Sequence, residues 1–441
     1  MRSPADVAAP LLGGGRGKFL GAPGRGYLRF QAVASIALLG CVGLAGILRQ
    51  VPCIAAGWEM PHASYRMCAS PIANGLLGAD WPEAPGRTGS ALISPAADWF
   101  AAGAGSVFSP GESMAILLVL NFAAFLLAGM ALLRLLGDRS WFAVFALSPV
   151  VFFSIGQSLD PVGLALALWA LVLAGEGPAA EVPGAEVPGA EVPGAEVPSG
   201  SAGRPLSALA LVAVMFAVAA LISPLAVVVL LGWGIAAARR GSTQSVLTVV
   251  GLFMVVLGAL VVIDGRIAGR VHMWLTDGID RGSLFSLAAY RTEGSALNVA
   301  ALIVFFAAVA AVAVLLYLRA GAAAGPLPIT AVLLVAALLT APRAGVGEAL
   351  WLVPFAAAAV HSLVLHFLWM LSEAALFIAV NLADADAIDP GKGLAPGWLF
   401  VFTTLRWMAL AGLLVWVFAA EALKNADGEP AGTKPSGAKA H

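Results

Sequence analysis

Long runs without a charged residue recur along this chain, and they most constrain what it can fold into. Residues 207–238 and 244–263 contain no Asp, Glu, Lys or Arg. As helices, both runs are long enough to cross the roughly 30 Å hydrocarbon core of a bilayer. Only 11% of the 441 residues are charged, against about 25% in soluble proteins, and the alternation typical of a β-barrel is absent. The sequence therefore predicts an all-α polytopic membrane protein.

The basic residues predict how the chain is oriented. The segment 1–29 is rich in arginine, and positive charge beside the first span holds the N-terminus in the cytoplasm. Hydropathy predicts about 12 transmembrane helices in the plasma membrane, with both termini cytoplasmic. These helices are expected at about 30–49, 114–136, 141–156, 161–175, 205–222, 224–238, 244–263, 297–318, 326–341, 349–361, 363–382 and 398–420.

A low-complexity tract separates two parts of the membrane core. The repeat AEVPGAEVPGAEVPGAEVPSG occupies 180–200, and its regular Pro and Gly exclude a helix. It is either a tolerated repeat expansion or a tether for a partner. The predicted division is a cytoplasmic tail (1–29), a membrane core with outer loop 50–112 (30–175), a cytoplasmic linker (176–204), a membrane core with outer loop 264–296 (205–420) and a cytoplasmic tail (421–441).

The predicted outer loops carry most of the residues that could form a site. Cys53 and Cys68 share one such loop, so they either form a disulfide in the oxidising exterior or are two unrelated thiols. Cys41 lies inside the first span and is expected to pack in the core. Asp160 precedes Pro161 at the outer mouth of a span. This carboxylate can accept a proton from a substrate, cap the next helix, or do both.

A second outer loop, 264–296, is rich in arginine. Its Arg270, Arg281 and Arg291 suit a lipid phosphate, because a guanidinium matches phosphate oxygens geometrically. The alternative is a solvated segment with internal ion pairs. His361 and His366 have no partners at metal-ligand spacing, so we expect them to be interfacial and expect no metal site. No nucleotide-binding loop and no basic patch for nucleic acid is present, which leaves membrane lipids as the expected surroundings.

The order of several short motifs resembles a known family. The chain carries Cys53, Trp58, Tyr65 and Cys68 after the first span, followed by Asn121-Phe-Ala-Ala-Phe, Leu147-Ser-Pro149, Ser158-Leu-Asp160, Asp280-Arg-Gly-Ser-Leu284, Leu350-Trp-Leu-Val-Pro354 and Thr403-Thr-Leu-Arg406. Over about 30–420 this order is similar to the actinobacterial branch of glycosyltransferase family 87. Those are membrane enzymes of the GT-C fold that use polyprenyl-phosphate sugars, typically mannose, in assembling cell-envelope glycans or glycolipids.

The resemblance implies a mechanism without a metal or cofactor beyond the lipid-linked donor. An outer carboxylate removes the proton of the acceptor hydroxyl, the oxygen attacks the sugar, and arginines stabilise the departing lipid phosphate. Asp160 and Glu59 are then the candidate catalytic residues. Arg281, Arg270 and Arg291 are the candidates for binding the donor phosphate, all on the extracytoplasmic side.

Four polar motifs of the family are degenerate here. At the position where the family's catalytic Asp is expected, this chain has Pro71. The other departures are Ser94-Pro95-Ala96, Leu221-Ile-Ser-Pro224 and Arg343-Ala-Gly-Val-Gly-Glu348. Two alternatives therefore stand beside an active glycosyltransferase. One is a catalytically inactive homologue that serves as a scaffold for, or regulator of, a membrane-protein partner in the cell envelope. The other is a transporter of a lipid-linked glycan, since Ser223-Pro224 breaks a helix as substrate sites in transporters do.

Overall fold

The computed structural model describes most of the membrane core. The described residues are 25–70, 72–73, 76, 94–136, 139–176, 205–269, 272, 279, 282–286, 295–319, 325–343, 345–395 and 397–427. Within them the regular structure is helical and contains no strand. The helices are α1 (Arg25–Ala55), α2 (His62–Tyr65), α3 (Pro95–Val107), α4 (Pro110–Leu135), α5 (Phe142–Ala146), α6 (Pro149–Ser154), α7 (Asp160–Leu173), α8 (Leu206–Ile222), α9 (Leu225–Arg239), α10 (Thr243–Ile263), α11 (Ser295–Arg319), α12 (Pro326–Thr340), α13 (Val346–Ala359), α14 (Leu363–Ile388) and α15 (Gly397–Asp427).

Six described helices are long and apolar enough to cross a membrane, namely α1, α4, α10, α11, α14 and α15. The described part of the chain is thus an α-helical, membrane-embedded protein. α10 and α11 present most of their apolar side chains at the surface of the bundle, as expected of helices that face lipid. Cys41 of α1 is exposed on such a surface, so the prediction that it packs in the core was wrong.

The other apolar helices are shorter and follow one another along the chain in three pairs joined by short turns: α5–α6 and α7, α8 and α9, and α12 and α13. We call each such pair a hairpin. α7 has 14 residues and is therefore about 21 Å long, shorter than a hydrocarbon core of roughly 30 Å. The hairpins turn at 155–159, 223–224 and 341–345. We call these turns the hairpin tips.

Serine–proline pairs set where several of these helices begin. Ser148 accepts a hydrogen bond from the N–H of Val150, and Pro149 is the first residue of α6. Ser223 ends α8, and Pro224 caps α9. Proline has no N–H to donate and a fixed φ, so it ends one helix and favours the start of the next. For this reason the predicted span 141–156 is divided into α5 and α6.

Close approach of helices builds the core. α9 packs closely against α12 at Gly232, where a Cβ atom would lie 2.2 Å from the Thr330 Oγ1. Three tryptophans, Trp233, Trp351 and Trp369, are fully buried among the short helices and α14. His366 is also buried and lies beside the ring of Trp141.

Candidate functional site

The three hairpin tips meet around one carboxylate, that of Asp160. Asp160 opens α7 and is 8% exposed. The Ser158 hydroxyl donates to its Oδ2 at 2.6 Å, and the Trp351 indole donates to its Oδ1 at 2.8 Å. The hydroxyl of Ser223 lies near the same carboxylate. Since these donors are neutral, they orient the carboxylate and offset its burial without neutralising its charge.

A glycine allows α13 to approach this carboxylate. A Cβ atom at Gly347 would lie 3.0 Å from the Asp160 Oδ2 and 3.5 Å from the Ser158 Oγ. Trp351 follows Gly347 by four residues and therefore lies on the same face of α13. We call Ser158, Asp160, Ser223, Gly347 and Trp351 the tip cluster.

The segment that precedes α3 and the segment that follows α2 reach the same part of the molecule. The Ser94 hydroxyl donates to the carbonyl of Leu221 at 3.0 Å, two residues before Ser223. The Ser70 hydroxyl donates to the carbonyl of Gln157 at 3.4 Å, one residue before Ser158. Segments that are distant in sequence and that carry the degenerate motifs are therefore neighbours around Asp160.

Arg49 connects the predicted outer loop to the first hairpin tip through hydrogen bonds. Its guanidinium donates to the carbonyls of Phe153 and Ile155, each at 3.0 Å, and to the carbonyl of Met67. It also lies over the ring of Phe377 at 5.6 Å. Sequence reasoning missed Arg49, although an arginine followed by a glutamine at the end of an apolar span was a usable signal.

A buried ion pair forms a second polar centre. Glu373 of α14 and Arg406 of α15 are 0% and 2% exposed, with the Arg406 Nε 2.8 Å from the Glu373 Oε1. The Trp369 indole donates to the same oxygen at 2.9 Å. This pair was also missed. Its signal is one acidic and one basic residue inside otherwise apolar spans, which is costly unless the two charges are paired.

The predicted site residues are only partly brought together. Asp160 is central, and Cys53 is linked to Cys68 by a disulfide that closes the loop leading to Ser70. Glu59 is exposed in the turn before α2, and its described contact is a hydrogen bond from the N–H of Ala63 to its own carbonyl. Pro71, Arg270, Arg281 and Arg291 lie outside the described residues.

One described residue of the arginine-rich loop, Arg266, joins the end of α10 to α3. Its side chain forms an ion pair with Asp264 at 2.9 Å, and Trp99 of α3 donates to the same carboxylate at 2.7 Å. The hydrogen bonds from Arg266, followed by that from Trp99, hold the pKa of Asp264 well below its usual range. This arrangement matches the solvated ion-pair alternative for that part of the loop.

A cavity of about 440 Å³ lies at the opposite ends of the short helices. Glu176 on its wall accepts a hydrogen bond from the Trp233 indole at 3.1 Å and pairs with Arg240. The cavity contains none of the predicted site residues. In the described ranges, no group of three or more His, Cys, Asp or Glu side chains is placed to hold a metal ion.

The chain was compared with protein-family models and with curated proteins. Neither comparison finds a match.

Proposed function

We propose that this chain is a GT-C-type glycosyltransferase, mannosyltransferase-like, that uses a polyprenyl-phosphate sugar in cell-envelope assembly. The observation that carries the proposal is the convergence on Asp160. The family resemblance selects Asp160 and the segments 68–71, 94–96, 221–224 and 343–348 as site positions. Ser223 and Gly347 lie beside Asp160, Ser70 donates to the carbonyl of Gln157, and Ser94 donates to the carbonyl of Leu221. Sequence-distant polar segments gathered around one buried carboxylate are typical of a site.

The depth of the tip cluster suits a donor that never leaves the bilayer. A hairpin of helices about 21 Å long cannot reach both surfaces of a core of roughly 30 Å. In this proposal all twelve apolar helices are embedded in the plasma membrane, both termini are cytoplasmic, and the hairpin tips are recessed below the extracytoplasmic surface. A lipid-linked phosphate entering from the side would meet the tip cluster at that level.

The proposed reaction inverts the sugar at C1 and uses Asp160 as the base. Two of the roughly four lone-pair positions on the carboxylate accept hydrogen bonds, which leaves a position for the acceptor hydroxyl. The hydroxyl proton passes to Asp160, the oxygen–C1 bond forms, and the bond from C1 to the phosphate oxygen breaks. Polyprenyl phosphate leaves with that electron pair, and Arg281, Arg270 and Arg291 are proposed to stabilise its charge.

The test is transfer of labelled mannose from polyprenyl-phosphate mannose to a lipid-linked acceptor by the purified full chain in nanodiscs. Asp160→Asn is expected to lower the rate about 10²- to 10⁴-fold, the usual contribution of general base catalysis. Glu59→Gln and Asp386→Asn are the control variants, and both should retain the wild-type rate. No transfer by the wild-type chain, or full activity of Asp160→Asn, would contradict the proposal.

A catalytically inactive homologue is the second candidate. Two observations favour it: both oxygens of Asp160 already accept hydrogen bonds, and Pro71 stands where the family's base is expected. The chain would then act as a scaffold for a membrane-protein partner. Stable co-purification of one partner, without transfer of sugar and without uptake of a lipid-linked glycan into proteoliposomes, would support this candidate.

A further inference from the structure

The ion pair between Glu373 and Arg406 lies inside two of the long apolar helices. α14 and α15 are both candidate membrane spans, and the side chains of the pair are almost completely buried. Charged residues at such positions are costly and usually serve a function or fix a specific structure. The contacts of Arg406 indicate what this pair does.

Arg406 contacts two loops as well as its ion-pair partner. Its Nη1 donates to the carbonyl of Gly282 at 2.8 Å, and its Nη2 donates to the carbonyl of Gly345 at 3.3 Å. A guanidinium can bind Glu373 and both carbonyls together because its N–H groups point in several fixed directions within one plane. An ammonium on the same helix lacks this planar fork.

Both loops lead to the proposed site. Gly345 caps α13, the helix that brings Gly347 and Trp351 against Asp160. Gly282 begins the segment 282–286 and directly follows Arg281, a proposed phosphate ligand. Within that segment the side chain of Ser283 is fully buried. Arg406 therefore joins the neighbourhood of the base to the neighbourhood of the phosphate ligand.

We propose that the ion pair between Glu373 and Arg406 is a buried latch that fixes segment 282–286 and the start of α13 relative to each other, through the carbonyls of Gly282 and Gly345. Arg406 is then a positioning residue for the donor. This role rests on the proposed function, whereas the latch itself does not. Loss of the latch should release segment 282–286 and weaken donor binding while the fold of the bundle persists.

The experiment measures exposure of segment 282–286 in the full chain. Ser283→Cys is introduced together with Cys41→Ala, and its labelling by a membrane-impermeant maleimide is timed in nanodiscs. Arg406→Lys is expected to speed labelling about tenfold or more, because it keeps the charge but loses two charge-assisted hydrogen bonds. Trp407→Phe is the matched control. It removes the neighbouring hydrogen bond to the Leu339 carbonyl and should leave labelling unchanged.

Kinetics and folding controls separate the possible outcomes. If the chain transfers sugar, Arg406→Lys should raise KM for the donor about tenfold and change kcat less, whereas Asp160→Asn should lower kcat. Thermal unfolding checks that each variant is folded, and Glu373→Gln replaces Arg406→Lys if the latter does not fold, with faster labelling again expected. Equal labelling of folded wild-type and latch variants would overturn the latch. Absence of sugar transfer by the wild-type chain would contradict the proposed function. The labelling result would still decide whether the latch exists.

Discussion

At the scale of single residues, the main feature of the tip cluster is the set of hydrogen bonds that the protein makes to the Asp160 carboxylate. Its oxygens accept hydrogen bonds from one hydroxyl and one indole, so the protein replaces water with a few oriented dipoles. Such donors are effective only if their positions are fixed, because a buried carboxylate that loses a donor cannot recruit water freely. Each donor should therefore contribute measurably to stability.

Trp351→Phe tests this directly. The variant keeps most of the ring and removes the N–H that donates to the Asp160 Oδ1. We expect the free energy of unfolding to fall by about 1–3 kcal/mol, the usual cost of removing a hydrogen bond to a buried charged group. Thermal or denaturant unfolding in detergent measures the change.

The control for this prediction is Trp407→Phe, whose indole donates to the neutral carbonyl of Leu339. Its loss should cost about 0.5–1.5 kcal/mol. Equal costs for the two variants would indicate that Asp160 is neutral in the folded protein.

At the scale of helices, α9 and α12 are in closest contact at a glycine. The Cβ atom of Gly232→Ala would lie 2.2 Å from the Thr330 Oγ1 and 3.0 Å from the Thr330 Cα. Because the second of these atoms is backbone, the helices must move apart, and overpacking of this kind costs about 1–3 kcal/mol. Unfolding experiments on Gly232→Ala should show this loss. Gly258→Ala in α10, where a Cβ atom would meet nothing within 4 Å, should be neutral or slightly stabilising.

The loop between α1 and α3 is stabilised by its disulfide. Cys53 and Cys68 are 15 residues apart, and a cross-link of that length stabilises a protein by about 3 kcal/mol in the chain-entropy model. Replacing both residues by serine should lower the free energy of unfolding by about that amount, to be measured without reductant. Cys41→Ser changes an exposed thiol and should leave stability unchanged. A double variant as stable as the wild type would show that Arg49 alone secures the loop.

At the scale of the whole molecule, hydropathy predicts the positions of the helices along the sequence better than it predicts which helix ends contact each other. Most of the apolar helices begin and end within a few residues of the predicted bounds, because burial in lipid or protein selects apolar side chains over a whole span. α1, α14 and α15 extend about five to seven residues beyond their predicted spans. The split at Ser148-Pro149 was missed because a single Ser-Pro step hardly changes hydropathy. Which tips meet depends on contacts between segments such as 221–224 and 343–348, and no periodicity within one span encodes them.

For the candidate site, the sequence led to Asp160 but not to the buried charged residues near it. The order of motifs led to Asp160, since its carboxylate stands at the start of a span. Arg49, Glu373 and the pairing of Arg406 were overlooked because these residues lie within spans, where the sequence offers a charge but does not identify its partner. Glu59 was favoured as an acid in a polar loop, yet it is exposed. The presence of an acidic residue in a polar loop is weaker evidence for a site than the burial of an acidic side chain.

Deletion of the repeat tract tests whether the stability of the membrane core depends on the length of the linker between its two parts. α7 and α8 pack against each other, so their ends can be joined by a short linker. Deleting residues 180–200 should change the free energy of unfolding by less than about 1 kcal/mol, because loop-closure entropy varies slowly with length. Thermal unfolding and sugar transfer by the deletion variant measure this. A large loss of stability would mean that the tract binds the core.

The short hairpins also bear on the lipid that surrounds the protein. α8 has 17 residues, about 26 Å of helix, and it exposes Leu206, Leu211 and Val214 at its surface. Beside such a helix the acyl chains must shorten by a few ångströms, at a cost of a fraction of a kcal/mol per ångström. The bilayer is then locally thinner, and the headgroups of one leaflet lie closer to the hairpin tips. Bilayer thickness would thus affect the proposed reaction, and lipids with longer chains should place their headgroups farther from Asp160.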